Sequence, residues 1–178
     1  MSETAIDRLF LDYSAAKLEQ YASRIESCLE HLSDEQVWAR AQENENAIAN
    51  LLLHLCGNVR QWIIASIGGQ SDQRQRNLEF SARQGQSKAE LLEQMRATVD
   101  EAVAIIRQVT AAMLAERRVI QGYEVSVLGA IYQVVEHFSG HTGQIIFATK
   151  MLTGTDLGFF RELQATGKRP GPATSSVP

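Results

Sequence analysis

Apolar residues recur every three to four positions over four separate stretches of this chain, each too long to be a strand, and this periodicity constrains the fold more than any other feature. In the first stretch, over 4–30, Ile6, Phe10, Tyr13, Leu18, Tyr21, Ile25 and Leu29 share a face, while Arg8, Asp12, Glu19, Arg24 and Glu26 mostly point elsewhere. A second helix is expected from a cap at Asn44 or Asn46 to about Ile67, where Gly68 and Gly69 stop it. Ser87 and Glu90 have capping-box spacing and open a third helix carrying Leu91, Met95, Ile106, Val109 and Met113. Ser126 caps a fourth, in which Val127, Ile131, Val134, Phe138, Ile145 and Leu152 recur before Thr153 and Gly154.

Shorter signals fill the gaps. Ser33 and Gln36 again have capping-box spacing and predict a turn of helix ending near Trp38. Residues 70–86 are polar apart from Leu78 and Phe80, and 116–124 read as another connection, with Gly122 in it. A long connection in a compact domain is expected to be tied down or to lie near the function. A last short helix is predicted over 156–165, and the Pro-, Gly- and Ser-rich end over 168–178 as a flexible tail, leaving one domain over 1–167. With no repeats and no alternating strand runs, the reading is an all-α four-helix bundle whose order of packing the pattern leaves open. Only 12 Gly, 3 Pro and 7% aromatic residues speak against a turn-rich β-sandwich.

Charge and cysteine content narrow the partners. With 17 Lys and Arg against 21 Asp and Glu, the net charge of −4 offers no general attraction to nucleic-acid phosphates, and no basic patch is evident. Cys28 and Cys56 form no C-x-x-C pair and no disulfide framework. The first 20 residues lack the segregated basic and apolar regions of a secretory signal, so a cytoplasmic protein is expected. Apolar runs such as LLLHLCGNV are too short and interrupted to span a membrane.

The four histidines carry the chemistry. His137 and His141, in HFSGH, are four apart on a helix and stack on one face, the geometry two imidazoles need to share a metal. His54 continues the stripe Leu51, His54, Asn58, Trp62 on the second helix. Buried rings need partners for their nitrogens, since an unpaired polar group costs about 1–3 kcal/mol. A divalent ion bound by all three would meet that need, with Glu136, Gln133, Gln144 or Asn58 as polar neighbours, but spacing leaves open the plainer alternative of histidines hydrogen-bonded in the core. HFSGH lacks the general-base Glu of H-E-x-x-H, which removes support for peptidase chemistry. His31 reads as a helix C-terminal cap and Cys28 as core filling, while Cys56, two residues from His54, projects from the opposite side of the helix. Trp38, Trp62 and Phe80 read as core or pocket framing, and Gly57, Gly140 and Gly143 suggest close helix contact near the histidines.

Two segments, NAIANLLLHLCGNVRQW over 46–62 and VVEHFSGHTGQI over 134–145, give the chain a resemblance to the DinB/YfiT-like four-helix bundles, in particular to DUF1572-type members. The resemblance covers about 4–153. It implies an up-down-down-up bundle, commonly a homodimer, in which His54 from helix 2 and His137 and His141 from helix 4 hold one divalent metal ion per chain, nickel or zinc. It further implies chemistry such as thiol-dependent S-transfer or isomerisation, with a small-molecule thiol and an electrophile as partners. A metal-dependent hydrolase of a small ester or amide, and a non-enzymatic ligand-binding or interaction bundle, stand as alternatives. Apolar residues beside the main faces, Leu9, Leu11, Ile146 and Phe147, point toward the same homodimer.

Overall fold

The structure is a computed structural model that describes residues 5–161. The elements run α1 (Ala5–Glu30), α2 (Asp34–Trp38), α3 (Ile48–Val59) continued by a π-helical segment (Arg60–Ala65), α4 (Arg76–Ser81), α5 (Lys88–Gln108), α6 (Ala111–Leu114), β1 (Arg117–Ile120), β2 (Tyr123–Ser126) and α7 (Val127–Thr153). The long members α1, α3 with its extension, α5 and α7 pack as a helix bundle. Their apolar stripes meet in one core where Leu11, Leu18, Ile25, Leu52, Leu55, Ile63, Met95, Ile106 and Phe138 are fully buried. Each such side chain contributes roughly 1.5–3 kcal/mol relative to exposure.

Contacts between helices fix which ends meet. Along α1 and α5, Arg107 Nη2 donates to Glu19 Oε1 (2.9 Å), Arg96 pairs with Glu26, and Lys88 Nζ donates to the Leu32 carbonyl (2.7 Å). On the other flank of α1 the Tyr21 ring stacks on Phe138 of α7, centroids 6.4 Å apart. The helix α3 packs against α5 and α7 in turn, with Arg60 of its extension facing Glu101 at 3.9 Å. No helix among the described residues is long and apolar enough to cross a membrane.

The caps at Ser33, Ser87 and Ser126 all form as their spacing predicts, Ser33 and Ser87 with the reciprocal bond from Gln36 and Glu90. Gly154, at φ +66°, closes α7 in the left-handed conformation that a glycine adopts without strain. Four expectations are corrected. The second helix starts after Ala47 instead of Asn44 or Asn46, because Asn50 Oδ1, reaching back one turn, accepts from the Ala47 N–H (3.1 Å). The third stops at Gln108, short of Met113: Val109 turns extended and Thr110 caps the separate α6 through Met113 N. The 116–124 connection contains an antiparallel hairpin, Arg117 opposite Ser126 and Ile120 opposite Tyr123. Its two-residue turn puts both Gln121 (φ +54°) and Gly122 (φ +83°) in the left-handed region, the backbone that suits the twist of a tight hairpin. Finally, 154–160 is not helical; Asp156 accepts from the Gly158 N–H (3.0 Å) and pairs with Arg161 (3.2 Å), while residues 162–165 of the predicted last helix, the boundary at 167 and the tail lie outside the described residues.

Candidate metal centre

The three histidines singled out in the sequence come together between α3 and α7. His54 is buried at 5% exposure, and His137 and His141 stand one turn apart on α7 facing it. Ring centroids are 4.9 Å (His54 to His137), 5.1 Å (His54 to His141) and 4.5 Å (His137 to His141), and one nitrogen of each ring lies within 4.8 Å of the others. The rings meet nearly edge to face, so nitrogens converge on a shared point instead of faces stacking.

Hydrogen-bond partners assign the outer nitrogens. His54 Nδ1 lies 2.9 Å from Glu79 Oε2, and a carboxylate accepts, so Nδ1 carries a proton, the tautomer in which a neutral ring keeps its lone pair on Nε2. His141 Nδ1 lies 2.7 Å from Gln144 Oε1 and donates in the same way, again leaving Nε2 bare. His137 Nε2 is 2.9 Å from His54 Nε2. Two lone pairs cannot face each other at that distance. One cation or one shared proton must lie between them. Burial, followed by the nearby charges of His141 and His54, pushes His137 down to about 4, so the ring is neutral at physiological pH. Burial also lowers His141, against an opposing hydrogen bond to Gln144. A nitrogen-rich cluster whose ring nitrogens converge fits a divalent ion, and three protein ligands leave a coordination position open, the pattern of catalytic sites.

Glu79 was not singled out in the sequence. It sits in α4, inside the polar 70–86 connection, where burial alone would raise its carboxyl; hydrogen bonds from Arg74 and His54 outweigh that and hold it below the usual carboxylate range. Arg74 grips it with two donors, Nε to Oε1 (2.7 Å) and Nη2 to Oε2 (2.9 Å), and sends Nη1 to Gln61 Oε1 (3.0 Å). Asn50 pins the same segment by its backbone, donating from Nδ2 to the Glu79 carbonyl (2.8 Å) and the Ala82 carbonyl (3.0 Å). The Phe80 ring covers His54, centroids 4.7 Å apart, under the Arg76 guanidinium. The available signal for this layer was the lone acid in the Leu78–Glu79–Phe80 run, together with the helical Gly57.

Of the polar neighbours expected, Gln144 holds His141, while Gln133 and Glu136 join His137, Gly140, His141 and Gln144 in lining an open hollow of about 320 Å³ beside the cluster. Asn58 is buried, but its Oδ1 meets no partner among the described residues. Gly57 does mark a close approach: a Cβ there would fall 2.0 Å from Glu79 Oε1. Gly140 and Gly143 do not, since nothing lies within 4 Å of where their Cβ atoms would stand. Trp62 is core, Trp38 is half-buried and donates to the Gln86 carbonyl (3.0 Å), and His31 is exposed. Burial pushes the Cys56 thiol up to about 12, despite a hydrogen bond to Thr98, and burial likewise raises Cys28, so neither is a nucleophile at neutral pH.

With this geometry in view, the comparison with known families is decisive: the model of a family described as a protein of unknown function, DUF1572, matches residues 5–161. The chain belongs to the DUF1572 family. That is the DUF1572-type membership the histidine segments suggested. A crystal structure described as that of the conserved protein of locus from Enterococcus faecalis superposes with a TM-score of 0.69 over 81% of this chain and 97% of the other. At 13% identity that likeness speaks for the fold alone. No curated protein matches the chain.

Proposed function

We propose that His54, His137 and His141 hold one divalent ion, zinc or nickel, and that this DUF1572 protein is a metal-dependent S-transferase joining a small-molecule thiol to a small electrophile. The observation that carries the reading is the convergence of three ring nitrogens with the outer nitrogens of His54 and His141 already committed to Glu79 and Gln144. When bound, such an ion supplies Lewis acidity that favours a thiolate over a thiol at neutral pH. The chain's own part is to hold and orient. His137 and His141 face an open hollow, and Gln133, Glu136 and Gln144 at its rim offer amide and carboxylate groups to orient a polar ligand. In the reaction the thiol sulfur forms a bond to the electrophilic carbon, the leaving group departs with its bonding electrons, and the thiol proton passes to solvent or to the Glu136 carboxylate.

Hydrolysis of a small ester or amide by water at the open position is the second reading, with Glu136 at the rim of the hollow as the base available to it. Glu79 lies behind His54, with both oxygens occupied by Arg74 and His54, and cannot take that role. A thiol brings its own nucleophile, which the buried Cys28 and Cys56 do not provide. Two further readings belong to the same proposal. The α1–α5, α1–α7 and α3–α5 contacts, with Glu19 near Arg107, Tyr21 near Phe138 and Arg60 near Glu101, support the up-down-down-up order. Exposed Leu9 and Tyr13 on α1, with Tyr132, Phe147 and Met151 on the adjacent α7, support a homodimer through these helices; Leu11, expected beside them, is in the core.

The test is metal quantification on untagged protein and on His54→Ala, His137→Ala and His141→Ala, followed by a thiol-plus-electrophile screen. One ion per chain in the parent, lost in each variant, and conjugation that disappears with the metal are expected. An ion retained by all three variants refutes the ligand set, and conjugation at equal rate after metal stripping refutes the transferase.

A further inference from the structure

The Arg74–Glu79–His54 chain of contacts crosses from the polar connection into the metal centre, and its parts are built for that purpose more than for stability. A buried ion pair contributes little net stability over an apolar replacement, because desolvation offsets most of the attraction. Yet Arg74 and Glu79 expose only 3% and 9% of their side chains, and the helix beside them carries a glycine that alone makes the space. In a helix interior a glycine is disfavoured relative to alanine. Any Cβ at position 57 would stand 2.0 Å from Glu79 Oε1, 2.8 Å from its Cδ and 3.0 Å from Arg74 Nε. Asn50 meanwhile fixes the backbone carrying Glu79 from one turn before His54 on the same helix.

We propose that Glu79, clamped by Arg74 and admitted by Gly57, is a positioning residue that locks His54 in its Nδ1–H tautomer, so that docking of α4 on α3 sets the metal affinity of the centre. This rests on the three-histidine metal reading but is separable from it. In neutral imidazole one nitrogen carries the proton, and without the carboxylate nothing ties that proton to Nδ1. The proton can then move to Nε2, where it blocks the ligand position. Arg74 cannot replace the carboxylate, because its Nη2, 3.1 Å from His54 Nδ1, is also a donor and would favour the wrong tautomer. The clamp therefore has a direction: with Glu79 present Arg74 is engaged by the carboxylate, and without it Arg74 opposes the metal-competent ring. A second cleft, of about 400 Å³, is lined in part by Gly57, Arg74 and Glu79.

Two measurements on the full chain test this. Long-range proton–nitrogen correlation spectra of the metal-free protein distinguish the two neutral tautomers by their ring-nitrogen shifts, and zinc affinity follows from competition with a chelator of known strength. The parent should show His54 as Nδ1–H. Glu79→Leu, which removes the acceptor, and Gly57→Ala should both shift His54 toward Nε2–H and weaken zinc binding 10–100-fold, the range for partners behind a metal ligand, while circular dichroism stays helical. A folded Gly57→Ala variant decides the matter if Glu79→Leu does not fold, since it displaces the carboxylate without altering a charge. The proposal is overturned if metal-free parent protein holds His54 as Nε2–H, or if both variants bind zinc within twofold of the parent. Failure of the parent to bind zinc would sink the metal reading while the tautomer spectra still judge the clamp. Loss of zinc in His54→Ala with full retention in Glu79→Leu would leave the metal site standing and remove the clamp.

Discussion

Acid should destabilise the metal-free protein well above the pH at which its carboxylates titrate, and His137 sets the size of the effect. Its ring, ordinarily near 6.5, is pushed to about 4 by burial and by the neighbouring histidines. Between those values the unfolded chain binds a proton that the folded chain refuses. Stability therefore rises with pH across this window, and it is lost as pH falls from about 6.5 toward 4. At about 1.36 kcal/mol per pH unit the full gap corresponds to roughly 3 kcal/mol. The ring is only half-buried, and solvent screening reduces this to roughly 1–2 kcal/mol. For a chain of this length each kcal/mol moves the melting temperature by about 2–4 °C, so Tm should drop by about 2–8 °C between pH 7 and pH 4.5. His141, also lowered, acts with the same sign. Glu79, held below its usual value, contributes stability that is present above about 4.5 and is lost only as pH falls through its folded pKa, which puts its effect below this window. The assay is thermal unfolding by calorimetry in chelator at half-unit pH steps, for the parent and for His137→Gln, whose difference isolates the ring. A Tm that is level or rising as pH falls through the window, or an identical slope in His137→Gln, would refute the reasoning.

Three other outcomes follow from the packing. Ser87→Ala removes the acceptor for Glu90 N at the start of α5 and should cost about 1 kcal/mol, read as a fall of about 2–4 °C in Tm with metal content unchanged. Leu52→Ala, at a fully buried core position, should cost about 2–5 kcal/mol in denaturant unfolding; a loss under 0.5 kcal/mol would contradict the close packing between α3 and its neighbours. Sedimentation at micromolar concentration should return a dimer that Phe147→Glu converts to monomer without loss of helicity, and a parent that sediments solely as monomer would end the dimer proposal.

How far the sequence could be read depended on whether the decisive physics was periodic. The long helices announced themselves because burying one stripe imposes a repeat of three to four that no connection imitates, and Ser33, Ser87 and Ser126 marked their starts because a side-chain cap needs a fixed spacing. His54, His137 and His141 were visible for the same reason, each lying on an apolar stripe that had to point inward. The hairpin escaped because its strands are four residues each and its turn is Gln-Gly instead of the stronger Asn-Gly signal. The end of α5 escaped because Val109 and Met113 keep the apolar spacing across a backbone break that Thr110 creates by capping a new helix.

The clamp behind His54 was hidden for a different reason. Its members Asn50, Gly57, Arg74 and Glu79 come from two segments, and their relation is set by tertiary docking with no repeat to betray it. Read locally, Arg74 and Glu79 belong to a solvated polar connection, and Gly57 is a helix weakness. Only when α4 lies on α3 does the glycine become the space that the carboxylate occupies and the acid become the partner of a ring nitrogen. A connection of this length that exists merely to join helices would have no reason to bury an arginine and a glutamate together, since their desolvation is compensated mainly by each other. Its burial against the one histidine that α3 contributes makes that connection part of the centre.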